Sequence, residues 1–207
     1  GDRLLFSEAD YCLNLGGFSN ISFEENGSRI AFDISPVNTV LNFYTNKLGL
    51  EYDDKGTISS SGKINTELLN ELNCLEYYNL TYPKSLGFEF VKEVVLPIIE
   101  RYKISIEDKL ATFTEHISYQ IGLALTNKKS NLLITGGGAY NEFLIGRIQF
   151  YLQETKLIIP EKKIIEFKEA LIFGMLGVLK LRNETNTLCS VTGASKDHSS
   201  GKIYNPK

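Results

Sequence analysis

The sequence predicts an α/β fold with a mixed sheet of five strands and helices on both faces. Three observations support this prediction. Short β-like runs come first, helices with apolar stripes follow, and strands then alternate with helices to the end of the pattern. The order is therefore β-β-β-α, then further helices, then β-α-β-α. A meander followed by alternating elements is typical of a sheet with antiparallel and parallel strands.

The strands are predicted from runs of β-forming residues bounded by turn signals. Gly16-Gly17 separates the first two strands, and an Asn-Gly pair precedes the third. Such pairs favour tight hairpin turns because they accept a positive φ. The five predicted strands are Tyr11 to Leu15, Phe18 to Phe23, Arg29 to Asp33, Leu132 to Thr135 and Lys156 to Ile159.

Helices are predicted where apolar residues recur every three or four positions. Ser35 is predicted to cap the first helix, with Pro36 in its first turn and Gly49 at its end. Residues 51–62 are predicted to form a polar loop in which Asp53 and Asp54 are solvated. The remaining predicted helices cover 64–72, 88–102 with a kink at Pro97, 105–125, 141–152 and 164–181, before a polar tail with one weak element at 188–191.

Composition is that of an ordinary globular protein, with 43% hydrophobic and 23% charged residues. The formal net charge of -3 gives no electrostatic reason to expect nucleic acid or a membrane as a partner. Three widely spaced cysteines indicate a reducing compartment rather than a disulfide framework or a zinc site. With no secretory signal and no apolar run of membrane-spanning length, we expect a cytoplasmic protein.

Two glycine-rich turns are candidates for phosphate binding. Gly16-Gly17 follows the first strand, and Gly136-Gly137-Gly138 lies between a strand and a helix. Without side chains, such turns let backbone N–H groups approach an anion, and a helix N-terminus adds a favourable dipole. Each turn alone is better explained as an ordinary tight connection, because glycine turns are common. Two of them, expected on opposite sides of a cleft, favour a nucleotide site.

Other familiar sites are excluded by spacing. Asn141 stands where the third glycine of a dinucleotide-binding motif is required. Residues 56–63 have one residue too many between their glycines for a phosphate loop, and Ile64 replaces the magnesium-binding hydroxyl. His116 is predicted to lie in the core or at its edge, and His198 in the tail. These two distant histidines predict neither a metal site nor a catalytic triad.

Asp33 is the candidate catalytic acid or base. It is predicted to close the third strand just before a helix, so that its carboxylate faces the same cleft as the glycine turns. A carboxylate in that position can take a proton from a reacting group. The alternative interpretation is an aspartate that caps the helix or fixes the loop.

Six segments in order resemble the anhydro-N-acetylmuramic acid kinase family, and they extend over nearly the whole chain. The first is Leu13-Asn14-Leu15-Gly16-Gly17-Phe18-Ser19-Asn20, similar to a Leu-Asn-Ile-Gly-Gly-Ile-Ala-Asn phosphate segment. The others are Phe32-Asp33 with Pro36 and Asn38, Pro83-Lys84-Ser85-Leu86-Gly87, Gly136-Gly137-Gly138-Ala139-Tyr140-Asn141, Lys168-Glu169-Ala170-Leu171 and Ser190-Val191-Thr192-Gly193-Ala194-Ser195. The combination is specific, although each segment alone is not.

The resemblance implies an actin-like (ribonuclease H-like) kinase domain, the fold of sugar kinases and heat-shock ATPases. It implies an enzyme that uses ATP, Mg²⁺ and water to open a 1,6-anhydro amino sugar and phosphorylate O6, giving N-acetylmuramic acid 6-phosphate. Asp33 would activate the water. The implied nucleotide contacts are Gly16, Gly17, Asn20, Gly136, Gly137, Gly138 and Asn141, and the implied sugar or cleft contacts are Asn38, Lys84, Ser85 and Glu169.

Two departures from the family pattern affect these expectations. Ile34-Ser35 and Val37 replace the usual Thr-Gly and Gly around Pro36, which predicts a stiffer loop. The family's N-terminal domain is also absent, so residues 1–207 are expected to be one C-terminal domain that is inactive alone: an expressed part, a proteolytic fragment or half of a split protein. A non-catalytic nucleotide- or partner-binding module, a kinase for a different sugar, and a homodimer remain open.

Overall fold

One mixed sheet organises the chain, and the computed structural model describes residues 1–204 of it. The strands, in the order β3-β2-β1-β4-β5, are β1 (Tyr11–Leu15), β2 (Phe18–Glu25), β3 (Ser28–Pro36), β4 (Asn131–Thr135) and β5 (Lys156–Ile158). β1, β2 and β3 form an antiparallel meander, while β4 and β5 add parallel strands beside β1. The predicted mixed sheet of five strands is confirmed.

Helices lie between the strands and along the second half of the described chain. They are α1 (Asp2–Leu5), α2 (Asn38–Asn46), α3 (Thr57–Ser61), α4 (Thr66–Asn73), α5 (Phe88–Phe90), α6 (Leu96–Arg101), α7 (Ile106–Ala124), α8 (Glu142–Tyr151), α9 (Lys162–Leu181) and α10 (Cys189–Thr192). A π-helical turn, Val91–Val95, joins α5 to α6 and precedes Pro97, where an irregularity was predicted. None of the described helices is both long and apolar enough to cross a membrane.

The main core lies between one face of the sheet and α7. Alternation along β1 points Leu13 and Leu15 into this core, where neither is exposed to solvent. Phe113 and Ile117 of α7 pack there at helical spacing, as their periodicity predicts. On the opposite face Cys12 packs in a smaller cluster with residues beside α1 and at the start of α9. Helices therefore cover both faces.

The predicted start of α2 is wrong. β3 continues to Pro36, and α2 begins after Val37, which makes no side-chain capping bond. Ser35 is fully buried because it pairs with Ser19 of β2: the Ser19 hydroxyl donates to the Ser35 carbonyl at 3.0 Å and accepts from the Ser35 N–H at 3.1 Å. Because Ser35 pairs with β2 as part of β3, it does not cap α2 as predicted.

Residues 51–62 form the predicted solvated loop only in part, since Asp54 is exposed but Asp53 is not. Asp53 is only 6% exposed, and its carboxylate accepts hydrogen bonds from the N–H groups of Ile58 and Ser59 at 2.8 and 2.9 Å. These bonds satisfy donors at the start of α3, which follows a 3-10 turn, Asp54–Gly56. One buried carboxylate therefore organises a helical turn that the sequence pattern does not show.

Candidate nucleotide and catalytic site

The two glycine-rich turns lie side by side at one end of the sheet. β1 and β4 are parallel neighbours, so the segments that follow Leu15 and Thr135 meet there, not on opposite sides of a cleft as predicted. Gly136 has a φ of +83°, and a Cβ atom built on it would lie 2.7 Å from the Leu15 carbonyl oxygen. A Cβ on Gly138 would lie 2.7 Å from the Leu15 Cβ. Both positions therefore need glycine.

The first turn is tied to the start of α2. The Gly17 carbonyl accepts from the Val37 N–H at 2.8 Å, and the Gly16 carbonyl accepts from the Asn38 N–H at 3.2 Å. Asn38 also reaches toward β1, with its Nδ2 atom 3.4 Å from the Leu15 carbonyl oxygen. Asn38 was predicted to contact the sugar, but the structure places it beside the glycine turns.

A cavity of about 650 Å³ opens beside the triple glycine, a size that suits a small organic ligand. Four groups of residues line it: Asn38, Leu41 and Asn42 of α2; Tyr52 to Lys55; Gly137 to Glu142; and Lys162 and Glu166 of α9. Tyr52, Lys55 and Lys162 were not among the predicted site residues. Their sequence neighbourhood carries no motif, so only the fold brings them to the turn.

Asn141 lies at the edge of this cavity with its side chain already engaged. Its Oδ1 atom accepts from the Leu144 N–H at 2.9 Å, which makes Asn141 the N-cap of α8. The side chain is largely buried. Asn141 therefore holds the helix that follows the triple glycine, and its own amide oxygen is occupied.

A row of polar residues crosses the face of the sheet opposite the main core. Strand register places Thr135, Asn14, Asn20 and Asp33 next to one another on β4, β1, β2 and β3. Register partners share a face of the sheet. Asn20 therefore lies between Asn14 and Asp33, so one continuous polar row joins the triple-glycine strand to the candidate base.

The buried Lys168 of α9 lies against the Thr135 end of this row. Its Nζ atom donates to the Thr135 hydroxyl at 3.1 Å and lies 3.0 Å from a carboxylate oxygen of Asp2. Glu169, the next residue, is exposed on the surface of α9. No contact among the described residues joins Glu169 to Asp33 or Lys84, so its predicted place at the sugar is untested.

Asp33 lies inside β3 rather than at its end, three residues before Pro36. One carboxylate oxygen, Oδ2, accepts from the Leu86 N–H at 2.8 Å, and the Asp33 carbonyl accepts from the Tyr77 hydroxyl at 2.6 Å. Among the described residues no donor contacts Oδ1. Burial raises the pKa of Asp33 above its ordinary value, and the Leu86 N–H partly opposes the rise.

Lys84 belongs to the segment that folds over Asp33. Its carbonyl accepts from the Asp33 N–H at 3.2 Å, and its Nζ atom donates to the Tyr77 carbonyl at 3.2 Å. Nζ also lies 4.7 Å from the centre of the Tyr77 ring. Burial lowers the pKa of Lys84. Ser85 is exposed next to it, so the structure brings Lys84 and Ser85 to Asp33 as one segment.

A metal ion has no obvious set of protein ligands here. Within residues 1–204, no cluster of three or more His, Cys, Asp or Glu side chains has the arrangement of a metal site.

His116 is fully buried and hydrogen-bonded at both ring nitrogens, as expected for a core histidine.

Comparison with known proteins identifies the family. The model of the family described as "Anhydro-N-acetylmuramic acid kinase" matches residues 3–206. The chain belongs to the anhydro-N-acetylmuramic acid kinase family. An anhydro-N-acetylmuramic acid kinase of Aliivibrio fischeri is 33% identical over 206 residues, which cover 93% of this chain and 55% of the relative. The anhydro-N-acetylmuramic acid kinase of Clostridioides difficile is 33% identical, and the match covers 97% of this chain and 57% of the relative.

This member of the anhydro-N-acetylmuramic acid kinase family spans about half the length of the curated relatives that it matches. Solved structures with partial similarity include an activator of 2-hydroxyisocaproyl-CoA dehydratase from Clostridium difficile with bound ADPNP. It is 15% identical with a TM-score of 0.47, covering 82% of this chain and 60% of that one. Component A of (R)-2-hydroxyglutaryl-CoA dehydratase from Acidaminococcus fermentans is 17% identical, with a TM-score of 0.48. The match covers 82% of this chain and 61% of that chain.

Proposed function

We propose that residues 1–207 are the C-terminal, nucleotide-binding domain of a two-domain cytoplasmic kinase. The substrates are ATP and 1,6-anhydro-N-acetylmuramic acid, and the product is N-acetylmuramic acid 6-phosphate. The observation that carries this proposal is the polar row from Thr135 to Asp33, because it connects the strand that precedes the triple glycine to a half-buried carboxylate on β3. The free state of Cys12, Cys74 and Cys189 supports a reducing compartment.

ATP fits the end of the sheet where the glycine turns meet. Its phosphates lie against Gly16-Gly17 and the triple glycine. Because a Cβ at Gly136 or Gly138 would meet Leu15, glycine at these positions lets the two turns lie side by side. The nucleoside occupies the adjacent cavity, with Tyr52 as a flat contact surface and Asn38 between the two turns. Mg²⁺, when bound, would neutralise phosphate charge. Since the described residues offer no carboxylate cluster, we assign it no protein ligand on this domain.

The sugar binds next to Asp33, under the segment that carries Lys84 and Ser85. The free Oδ1 atom of Asp33 takes a proton from water as the water oxygen bonds to the anomeric carbon. The bond between that carbon and O6 breaks, and O6 bonds to the terminal phosphorus of ATP, releasing ADP. The raised pKa of Asp33 suits a proton acceptor, and Leu86 holds its other oxygen in place. Glu169 is a further sugar contact on α9.

The test is ADP release by the intact protein, with and without 1,6-anhydro-N-acetylmuramic acid. We expect sugar-dependent release, and at least a 100-fold loss in an Asp33→Asn variant, because general base catalysis contributes about 10²–10⁴-fold. Asp10→Asn is the matched control, since Asp10 also accepts one backbone N–H, from Asn131 at 2.7 Å, away from the site.

The outcomes separate the open alternatives. Nucleotide binding without any sugar-dependent release would contradict the kinase and favour a non-catalytic module. Release that depends on another sugar in a substrate panel would retain the fold and the base but replace the substrate. Equal losses in Asp33→Asn and Asp10→Asn would remove the assignment of Asp33 as base.

A further inference from the structure

A buried histidine on α7 makes two short hydrogen bonds that the proposed reaction does not use. His116 has no solvent-exposed surface. Its Nδ1 atom lies 2.7 Å from Oδ1 of Asn73, and its Nε2 atom lies 2.7 Å from the hydroxyl of Tyr78. Asn73 ends α4, and Tyr78 belongs to the 3-10 turn Glu76–Asn79. Both bonds therefore lead to the segment that folds over Asp33.

The direction of these bonds follows from the Asn73 side-chain oxygen, which binds both His116 and Gln120. Oδ1 of Asn73 also accepts from Nε2 of Gln120 at 3.0 Å, so it serves as the acceptor for His116 as well. A neutral imidazole that donates from Nδ1 must accept at Nε2, so the Tyr78 hydroxyl donates to it. Burial lowers the pKa of His116 to about 3, which keeps the ring neutral. Every polar atom of the ring thus has a partner.

The same segment reaches Asp33 at two places. Tyr77, adjacent to Tyr78, donates its hydroxyl to the Asp33 carbonyl at 2.6 Å, and its own carbonyl accepts from Nζ of Lys84. Further along, the Leu86 N–H binds the Asp33 carboxylate at 2.8 Å. Residues 73–86 are consequently held on one side by His116 in the core and on the other by Asp33 in the sheet.

We propose that His116 is a positioning residue: through Tyr78 it fixes the segment that orients the Asp33 carboxylate and Lys84. A fully satisfied buried network is rigid, so it holds the Leu86 N–H against one carboxylate oxygen and leaves the other oxygen for water. This inference rests on the proposed role of Asp33 as the base.

The test uses Tyr78→Phe in the intact protein, which removes one hydroxyl and keeps the ring. We expect about 10-fold faster hydrogen exchange at the Leu86 amide, because residues 73–86 are no longer held in place. We also expect a shift of the Asp33 carboxyl pKa, which carbon-13 NMR measures. We expect kcat to fall about 10-fold, as for a small misplacement of a reacting group, with an unchanged KM for ATP.

Tyr151→Phe is the matched control. The Tyr151 hydroxyl also donates to an α7 side chain, Glu115, at 2.6 Å, but Tyr151 belongs to α8 rather than to residues 73–86. We expect less than about a twofold change in Leu86 exchange and kcat for this variant. Unchanged exchange and an unchanged Asp33 pKa in Tyr78→Phe would overturn the inference, as would equal effects in both tyrosine variants.

Failure of the proposed function gives a different pattern. If Tyr78→Phe alters Leu86 exchange and the Asp33 pKa while Asp33→Asn keeps full sugar-dependent turnover, then His116 positions the segment but Asp33 is not the base. These exchange and NMR readouts do not depend on turnover, so the two proposals are separable.

Discussion

Asp33 illustrates how a single residue is defined by contacts that are distant in sequence. Its carboxylate is bound by Leu86, 53 positions further along the chain, and its backbone carbonyl is bound by Tyr77. The alternative interpretation of Asp33 as a loop-fixing residue is therefore partly correct, since one oxygen does hold the loop. The other oxygen is available for chemistry, and both roles can be carried by one carboxylate.

The raised pKa of Asp33 predicts a specific pH dependence of stability. The folded state holds the Asp33 proton more tightly than the unfolded state, whose pKa is near the ordinary value of 3.8. Asp33 therefore contributes stability at low pH, and this contribution is lost as the pH rises from the ordinary value through the raised one. Urea unfolding of the wild type and Asp33→Asn across this window measures it.

We expect the wild type to lose stability relative to Asp33→Asn as the pH rises through that window. The Asp10→Asn variant provides the comparison for a carboxylate whose surroundings differ. A stability difference between the wild type and Asp33→Asn that stays constant with pH would contradict the raised pKa.

At the scale of elements, the connection from β4 to α8 shapes the end of the sheet where the nucleotide is proposed to bind. Gly136 adopts a backbone conformation, φ +83° and ψ 167°, that is almost confined to glycine. Asn141 then caps α8, and Arg147 of α8 binds Glu115 of α7 through two hydrogen bonds of 2.6 Å. The Gly136 conformation, the Asn141 cap and the Arg147–Glu115 hydrogen bonds thus fix β4, the glycine turn and α8 relative to one another.

Gly136→Ala is predicted to destabilise this connection by about 2–3 kcal/mol, because the new methyl group meets the Leu15 carbonyl and the backbone conformation is strained. Gly146→Ala is the matched control in α8, where a Cβ has no neighbour within 4 Å. There we expect a gain of about 0.5–1 kcal/mol from helix propensity.

Urea unfolding measures both changes, and nucleotide titration follows the consequence for binding. We expect weaker nucleotide binding for Gly136→Ala and unchanged binding for Gly146→Ala. Equal effects of the two variants on stability would show that the turn does not require glycine.

At the scale of the whole molecule, both proposed half-sites lie on the same sheet: the nucleotide site at the end of β1 and β4, and Asp33 on β3. The cavity is open, Asp33 is half-buried, and the chain spans about half the length of its matched relatives. Kinases that close two domains around ATP exclude water from the transferred phosphoryl group only when both are present. Under the two-domain proposal, residues 1–207 supply one of the two walls that enclose the substrates.

We accordingly predict that the isolated 207-residue chain binds nucleotide but shows no sugar-dependent ADP release. Calorimetric titration with a non-hydrolysable ATP analogue measures binding, and a coupled ADP assay measures turnover. Gly136→Ala is the control that should weaken the binding. Sugar-dependent turnover by the isolated chain would contradict the two-domain proposal. The homodimer that the sequence leaves open is tested separately, by the molecular mass of the chain in solution.

Much of the fold follows from local sequence. The alternation of β1, the apolar period of α7 and the turn signals of the meander depend on neighbouring residues, so they predict the mixed sheet and its main helix. The ordered motifs, from Leu13 to Ser195, similarly predict the family. The sequence shows the glycines at 136 and 138, but only the structure shows that they are needed because Leu15 lies against them.

The remaining features were decided by tertiary structure. Pairing with Ser19 keeps Ser35 in the sheet, burial makes Asp53 the organiser of α3, and strand register brings Asn20 beside Asp33. His116 acquires its partners from α4 and the following turn, about forty positions away. Each of these depends on competition among hydrogen bonds inside the folded protein. A sequence pattern cannot resolve it, because the competing partners meet only after the chain has packed.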